Sequence, residues 1–82
     1  MKFSVQVNIM PQDALLDPQG KTVEKNTQKI GFSNIANVRI GKHITFDIES
    51  KNIDEAKKTI EEICGKLLVN QITEKFDFII LD

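Results

Sequence analysis

The stretch Ile35-Ala36-Asn37-Val38-Arg39-Ile40-Gly41-Lys42-His43-Ile44-Thr45-Phe46-Asp47-Ile48 decides the fold. Val38 and Ile40 alternate with Asn37 and Arg39. Ile44, Phe46 and Ile48 then alternate with His43, Thr45 and Asp47. A period of two is the signature of a strand with one buried face, so the stretch reads as two strands, Ile35–Ile40 and His43–Ile48. Only Gly41-Lys42 separates them, and a link this short predicts an antiparallel hairpin.

Upstream, Phe3, Val5, Val7 and Ile9 alternate with Ser4, Gln6 and Asn8, which predicts a first strand ending at Pro11. Asp17-Pro18 then starts a helix, because Asp17 can accept from exposed N–H groups and Pro18 at the first helical position loses nothing. Gly20, Val23, Thr27 and Ile30 give this helix a thin stripe, and Gly31 suits the left-handed position just past its end. Downstream, Asn52 with Glu55 three residues on resembles a capping box. The stripe that follows is Ile53, Ala56, Ile60, Ile63, Cys64 and Leu67, and a buried Leu67 would lose about 2–5 kcal/mol on truncation to alanine. A last strand places Phe76, Phe78 and Ile80 on one face and Asp77, Ile79 and Leu81 on the other. The order β-α-β-β-α-β predicts an α+β, ferredoxin-like single domain over residues 1–82. Its architecture is a four-stranded antiparallel sheet with both helices on one face. The opposite sheet face carries Ser4, Gln6, Asn8, Arg39, His43, Thr45 and Asp77, together with Ile79 and Leu81. Those two aliphatics mark either a docking surface or a terminal strand buried on both faces.

Composition narrows the function. The chain has 82 residues, 40% of them apolar, and is small enough that burial against a partner would supplement its core. Eleven basic residues against 12 acidic ones leave a net charge of −1, and Arg39 is the one arginine. That excludes a generally basic nucleic-acid footprint. An RNA-recognition domain of this element order stacks bases on aromatics of the open face. Here Phe3 and Phe46 have the inward parity. A small phosphatase of this order needs a glycine-rich cradle and an arginine after the first strand, whereas Met10 to Asp17 holds two carboxylates, no glycine and no basic residue. His43 has no second histidine or cysteine at metal-ligand spacing and reads as a hydrogen-bonding residue near the hairpin. Cys64 on the apolar stripe reads as a core residue with a raised pKa. A lone cysteine cannot close an internal disulfide, and the longest apolar run, Phe78–Leu81, is far too short to span a bilayer. A cytoplasmic protein with no membrane or nucleic-acid partner is the expectation.

Three segments together resemble a known family. They are Leu16-Asp17-Pro18-Gln19-Gly20-Lys21 with Val23, Val38-Arg39-Ile40-Gly41-Lys42, and Cys64-Gly65-Lys66-Leu67-Leu68-Val69-Asn70 with Ile72 and Glu74. In this order and spacing they look like PurS, the small subunit of phosphoribosylformylglycinamidine synthase. The resemblance implies a non-catalytic assembly subunit of de novo purine synthesis, acting in an ATP- and glutamine-dependent C–N ligase complex. It would form a homodimer or higher oligomer and bridge a large synthase subunit and a glutaminase subunit. There it would support ammonia transfer in converting formylglycinamide ribonucleotide to the amidine. No cofactor is expected on this chain alone, with ATP and Mg in the complex. No catalytic residue and no metal ligand is expected either. Arg39, Lys42, His43, Ile79 and Leu81 are the expected contact residues, with Arg39→Glu weakening partner binding at unchanged stability. Asp17, Pro18, Gln19, Gly20, Gly41, Lys66 and Asn70 are expected to maintain the fold. The alternative from another class is a stand-alone regulatory domain of the amino-acid-sensor type.

Overall fold

The computed structural model describes residues 1–81 in the order β1 (Lys2–Pro11), α1 (Pro18–Lys29), β2 (Lys42–Glu49), α2 (Ile53–Ile63) and β3 (Glu74–Leu81). The sheet is antiparallel throughout and has three strands in the order β2-β1-β3. β1 is central because it alone has a strongly apolar side and two partners. Phe3, Val5, Val7 and Ile9 all point inward and are at most 2% exposed. The period-two reading therefore holds for this strand, and its register is specified, since a one-residue slip would turn the apolar set outward. Opposite Val5 stand Phe46 of β2 and Ile80 of β3; opposite Val7 stand Ile44 and Phe78. These flanking residues are half-buried, because one helix covers the middle of the sheet but not both margins.

That helix is α2. Asn52 caps it by accepting from the Glu55 N–H at 2.9 Å, and Asp54 and Glu55 complement the positive end of the dipole. Ala56, Ile60 and Cys64 are fully buried, with Ile60 and Cys64 joining the core of Val5, Val7 and Ile9. The last turn, Cys64–Leu68, widens into a π-helix, closed by the Val69 N–H donating to the Cys64 carbonyl at 2.9 Å. One extra residue in a turn rotates the stripe, so Leu68 and Val69 take the inward places and Leu67 swings out to 74% exposure. The expected burial of Leu67 is thereby corrected. Leu67→Ala should change the free energy of unfolding by no more than about 0.5 kcal/mol in a denaturant melt. A loss of several kcal/mol would return Leu67 to the core.

The hairpin expectation is also corrected. Among the described residues, Ile35–Ile40 is not a strand of the sheet, and residues 35–41 contain no turn before β2 begins. Asn37 sits in the left-handed region at φ 58°, which interrupts the alternation. Val38 and Ile40 donate their N–H groups to α1 and its capping residue, to Glu24 Oε1 at 3.1 Å and to Asp17 Oδ2 at 2.7 Å. The four-stranded sheet is therefore three-stranded within one chain, and α1 does not lie on its face. The dimensions agree. The molecule measures 51 × 26 × 14 Å with a radius of gyration of 16.4 Å, against about 12 Å for a compact chain of this size. β1 accounts for about 33 Å of the long axis and α1 for about 18 Å if it continues past the sheet end. α1 is well made locally. Asp17 Oδ1 accepts from the Gly20 N–H at 3.1 Å. Past its end, Gly31 at φ 102° lets Phe32 and Gly31 donate back to Thr27 and Gln28. Yet Gly20 is its one buried residue.

Candidate assembly surface

Residues 12–17, between β1 and α1, are held from several sides. The Gln12 N–H donates to the Thr73 carbonyl at 2.8 Å, and its side-chain amide donates to the Glu74 carbonyl at 2.9 Å. Lys75 Nζ lies 2.7 Å from Asp13 Oδ1. Arg39 reaches in from the return segment, donating Nη1 to the Leu15 carbonyl at 2.9 Å and Nη2 to the Gln12 carbonyl at 2.8 Å. Its rigid fork suits two carbonyls better than a lysine would. The loop therefore presents Leu16, 72% exposed, from a fixed backbone. Beneath it opens a groove of about 760 Å³ lined by Leu15, Leu16, Pro18, Ile40, Lys42 and Glu74 among others.

Charge around this groove is largely paired within the chain. Lys42 Nζ is 3.3 Å from Glu74 Oε2, while Glu74 Oε1 accepts from the Asn70 N–H at 2.8 Å. The Asn70 N–H and then Lys42 hold the Glu74 carboxyl below its ordinary range. The N–H groups of Ile40 and then Gly20 do the same for Asp17. A carboxyl depressed in the folded state stabilises it above the unfolded pKa, and this contribution disappears as pH falls through the folded value. Melting temperature should therefore drop as pH is lowered past the ordinary values of 4.5 for Glu and 3.8 for Asp. Asp17→Asn should flatten that acid limb in a pH series of thermal melts; an unchanged limb would contradict the assigned bonds.

On the opposite sheet face, Asn8 bridges the two edge strands. Its amide Nδ2 donates to Asp77 Oδ1 at 3.1 Å, and its Oδ1 faces His43 Nδ1 at 2.7 Å. His43 is thus tied into a cross-strand network. Ile79 and Leu81 lie on the same face of β3, about half exposed. Lys66 pairs with Glu62 at 2.8 Å on the outside of α2, and Asn70 closes the turn into β3, its carbonyl accepting from Thr73 and Glu74. Gly20 and Gly41 are both crowded by backbone, the first by the Val38 carbonyl and the second by the Ile9 carbonyl. Pro18 and Gln19 stand at the rim of the groove. Cys64 is buried in the core, where burial first and Glu61 second push the thiol up, away from nucleophilic use.

Of the residues expected from sequence, the structure brings Asp17, Pro18, Gln19, Gly41 and Lys42 together at the groove and Arg39 beside it. It places His43, Ile79 and Leu81 on the other sheet face and Lys66 on the outside of α2. Sequence reasoning missed Gln12 and Glu24, whose partners lie 62 and 14 residues away, and it named Glu74 only within a family segment, without its pairing to the distant Lys42. No local pattern announces such bonds. With both carbonyl bonds to lose, Arg39→Glu should lower stability by about 1–2 kcal/mol, measured by denaturant melt, where the sequence alone pointed to no change. An unaltered melt would release Arg39 for contact.

A family model described as PurS, phosphoribosylformylglycinamidine (FGAM) synthase, matches residues 4–82. The PurS subunit of that synthase from Bacillus subtilis is 30% identical over 76 residues, spanning 93% of this chain and 89% of its own. The Methanocaldococcus jannaschii PurS subunit is 29% identical over 75 residues, spanning 92% and 90%. Among solved structures, B. subtilis PurS matches with a TM-score of 0.87 at 28% identity, covering 98% of this chain and 99% of its own. A chain in the structure of PurLQS from Thermotoga maritima matches at 0.91 with 25% identity, covering 99% of each. The chain belongs to the PurS family of phosphoribosylformylglycinamidine synthase subunits.

Proposed function

We propose that this chain is the non-catalytic assembly subunit of FGAM synthase in purine biosynthesis, bridging a synthase subunit and a glutaminase subunit and supporting ammonia transfer between them. The observation that carries this reading is the likeness, over 99% of both chains, to a chain within the PurLQS structure. The chemistry of the chain is compatible with it. The cysteine is in the core, the histidine is tied to Asn8, and the arginine braces the chain's own loop. The rigid loop with Leu15 and Leu16, and the aliphatic pair Ile79 and Leu81, are the surfaces proposed for partners. A second copy of the chain is one of those partners. ATP and Mg are assigned to the complex rather than to this subunit, and the complex to the cytoplasm. Among the described residues no helix is long and apolar enough to cross a membrane. Nothing supports the amino-acid-sensor alternative. Gel filtration of the chain mixed with synthase and glutaminase subunits from the same source tests the reading. Co-elution with both is expected, and elution apart from either would count against bridging. Calorimetry with amino acids checks the sensor alternative, for which tight binding by the isolated chain would be required.

A further inference from the structure

Residues 18–41, α1 and its return segment, form an arm that divides the charge of the chain. Lys21, Lys25, Lys29 and Arg39 stand there against one carboxylate, Glu24, a net charge of +3, while the rest of the sequence carries −4. Two of these groups are used within the chain. Arg39 braces the loop of residues 12–17, and Glu24 accepts from the Val38 N–H. Lys21, Lys25 and Lys29 are left, all exposed. Among the described residues the ion pairs are made by Lys2, Lys42, Lys66 and Lys75, none of them on α1.

Steps of four residues place the three lysines within about 80° of one another along about 12 Å of helix, on the side away from Val23 and Ile30. A charged face that serves solubility mixes its signs, and α2 does so. Lys57 stands four residues before Glu61 and Lys58 four before Glu62, while Glu62 pairs with Lys66. On α1 each step of four brings like charges together, and no acidic residue in the first turn complements the dipole. Both features work against the helix. A penalty that the chain does not relieve itself points to an anionic surface elsewhere. Nucleic acid fits poorly, because the one arginine is occupied and α1 holds no aromatic on which a base could stack. A carboxylate-lined protein surface fits lysine's point charges.

The two partners proposed above differ in what their chemistry permits. The synthase subunit has to draw in ATP and a ribonucleotide, both multiply anionic, so carboxylates massed on it would repel its own substrates. Glutamine has no net charge, and a glutaminase can present an acidic face without that conflict. We infer that α1 docks through Lys21, Lys25 and Lys29 on a carboxylate-lined surface of the glutaminase subunit. This rests on the bridging reading and names the surface that serves one side of it.

The test titrates the glutaminase subunit into fixed amounts of the synthase subunit and this chain, reading glutamine-dependent amidine formation. With Lys21→Gln, Lys25→Gln and Lys29→Gln combined, the half-saturating glutaminase concentration should rise about tenfold, with circular dichroism and co-elution with the synthase subunit unchanged. Arginine at the same three positions should restore the wild-type value. An unmoved half-saturation in the glutamine variant would overturn the docking, and so would a shift in the half-saturating synthase concentration instead. RNA binding that the variant loses, with half-saturation unmoved, would also overturn it. The wild-type chain gives a reading that needs no variant. Its half-saturating glutaminase concentration should climb steeply with salt, and a salt-independent value would overturn the proposal. Full glutamine-dependent activity without this chain would instead overturn the bridging reading itself.

Discussion

Gly20→Ala is expected to destabilise the protein by about 3 kcal/mol, the upper end for an intruding methyl group. At most exposed helix positions this change is favourable by about 0.5–1 kcal/mol, because alanine loses less backbone freedom on folding. Here the sign reverses. The added Cβ would collide with the Val38 carbonyl oxygen and stand 2.9 Å from both Asp17 Oδ2 and the Val38 carbonyl carbon. Backbone on that side cannot turn away as a side chain would, and Val38 and Ile40 are bonded to α1 through Glu24 and Asp17. Relief requires α1 to separate from the return segment. For a domain this small the loss corresponds to a fall in Tm of more than about 10 °C. A neutral or stabilising Gly20→Ala, measured by thermal melt, would mean that the helix and the segment are not in contact.

Ile60→Ala is expected to cost about 2–5 kcal/mol, because it removes three carbons from a site with little freedom to collapse. Ile60 is fully buried and packs within a cluster that includes Val5, Val7, Ile9 and Cys64. These residues join α2, which lies on the sheet, to its central strand. Against a total stability of roughly 5–15 kcal/mol, such a loss is large. The comparison with Leu67→Ala is the informative one, since both leucine and isoleucine were read from the same stripe. A similar effect at both positions would show that the π turn does not rotate the stripe.

The residues whose environment is set by near neighbours were legible in the sequence. The inward set Phe3, Val5, Val7 and Ile9 followed from alternation, and the caps at Asp17 and Asn52 followed from side-chain oxygens three residues ahead of an N–H. Gly31 followed from the need for positive φ. What sequence missed depends on geometry that spacing does not carry. Leu67 was misplaced because a single wide turn, Cys64–Leu68, shifts the phase of a regular stripe. Val38–Ile40 alternates as a strand does, but alternation does not say whose edge it pairs with, and here its N–H groups meet carboxylates of α1 and its capping residue. Arg39 read as a free cation because its partners are main-chain carbonyls, 24 and 27 residues away, that exist as acceptors only once the loop is folded. The groove residues were named individually, but their convergence required the arm to leave the sheet where it does.

The central claim is that the chain serves catalysis by assembly rather than by chemistry of its own. Glutamine-dependent amidine formation by synthase and glutaminase subunits from the same source, with and without this chain, tests it most directly. The account predicts turnover when all three are present and loss of the glutamine-dependent reaction when this chain is left out. Full activity in its absence would contradict the account.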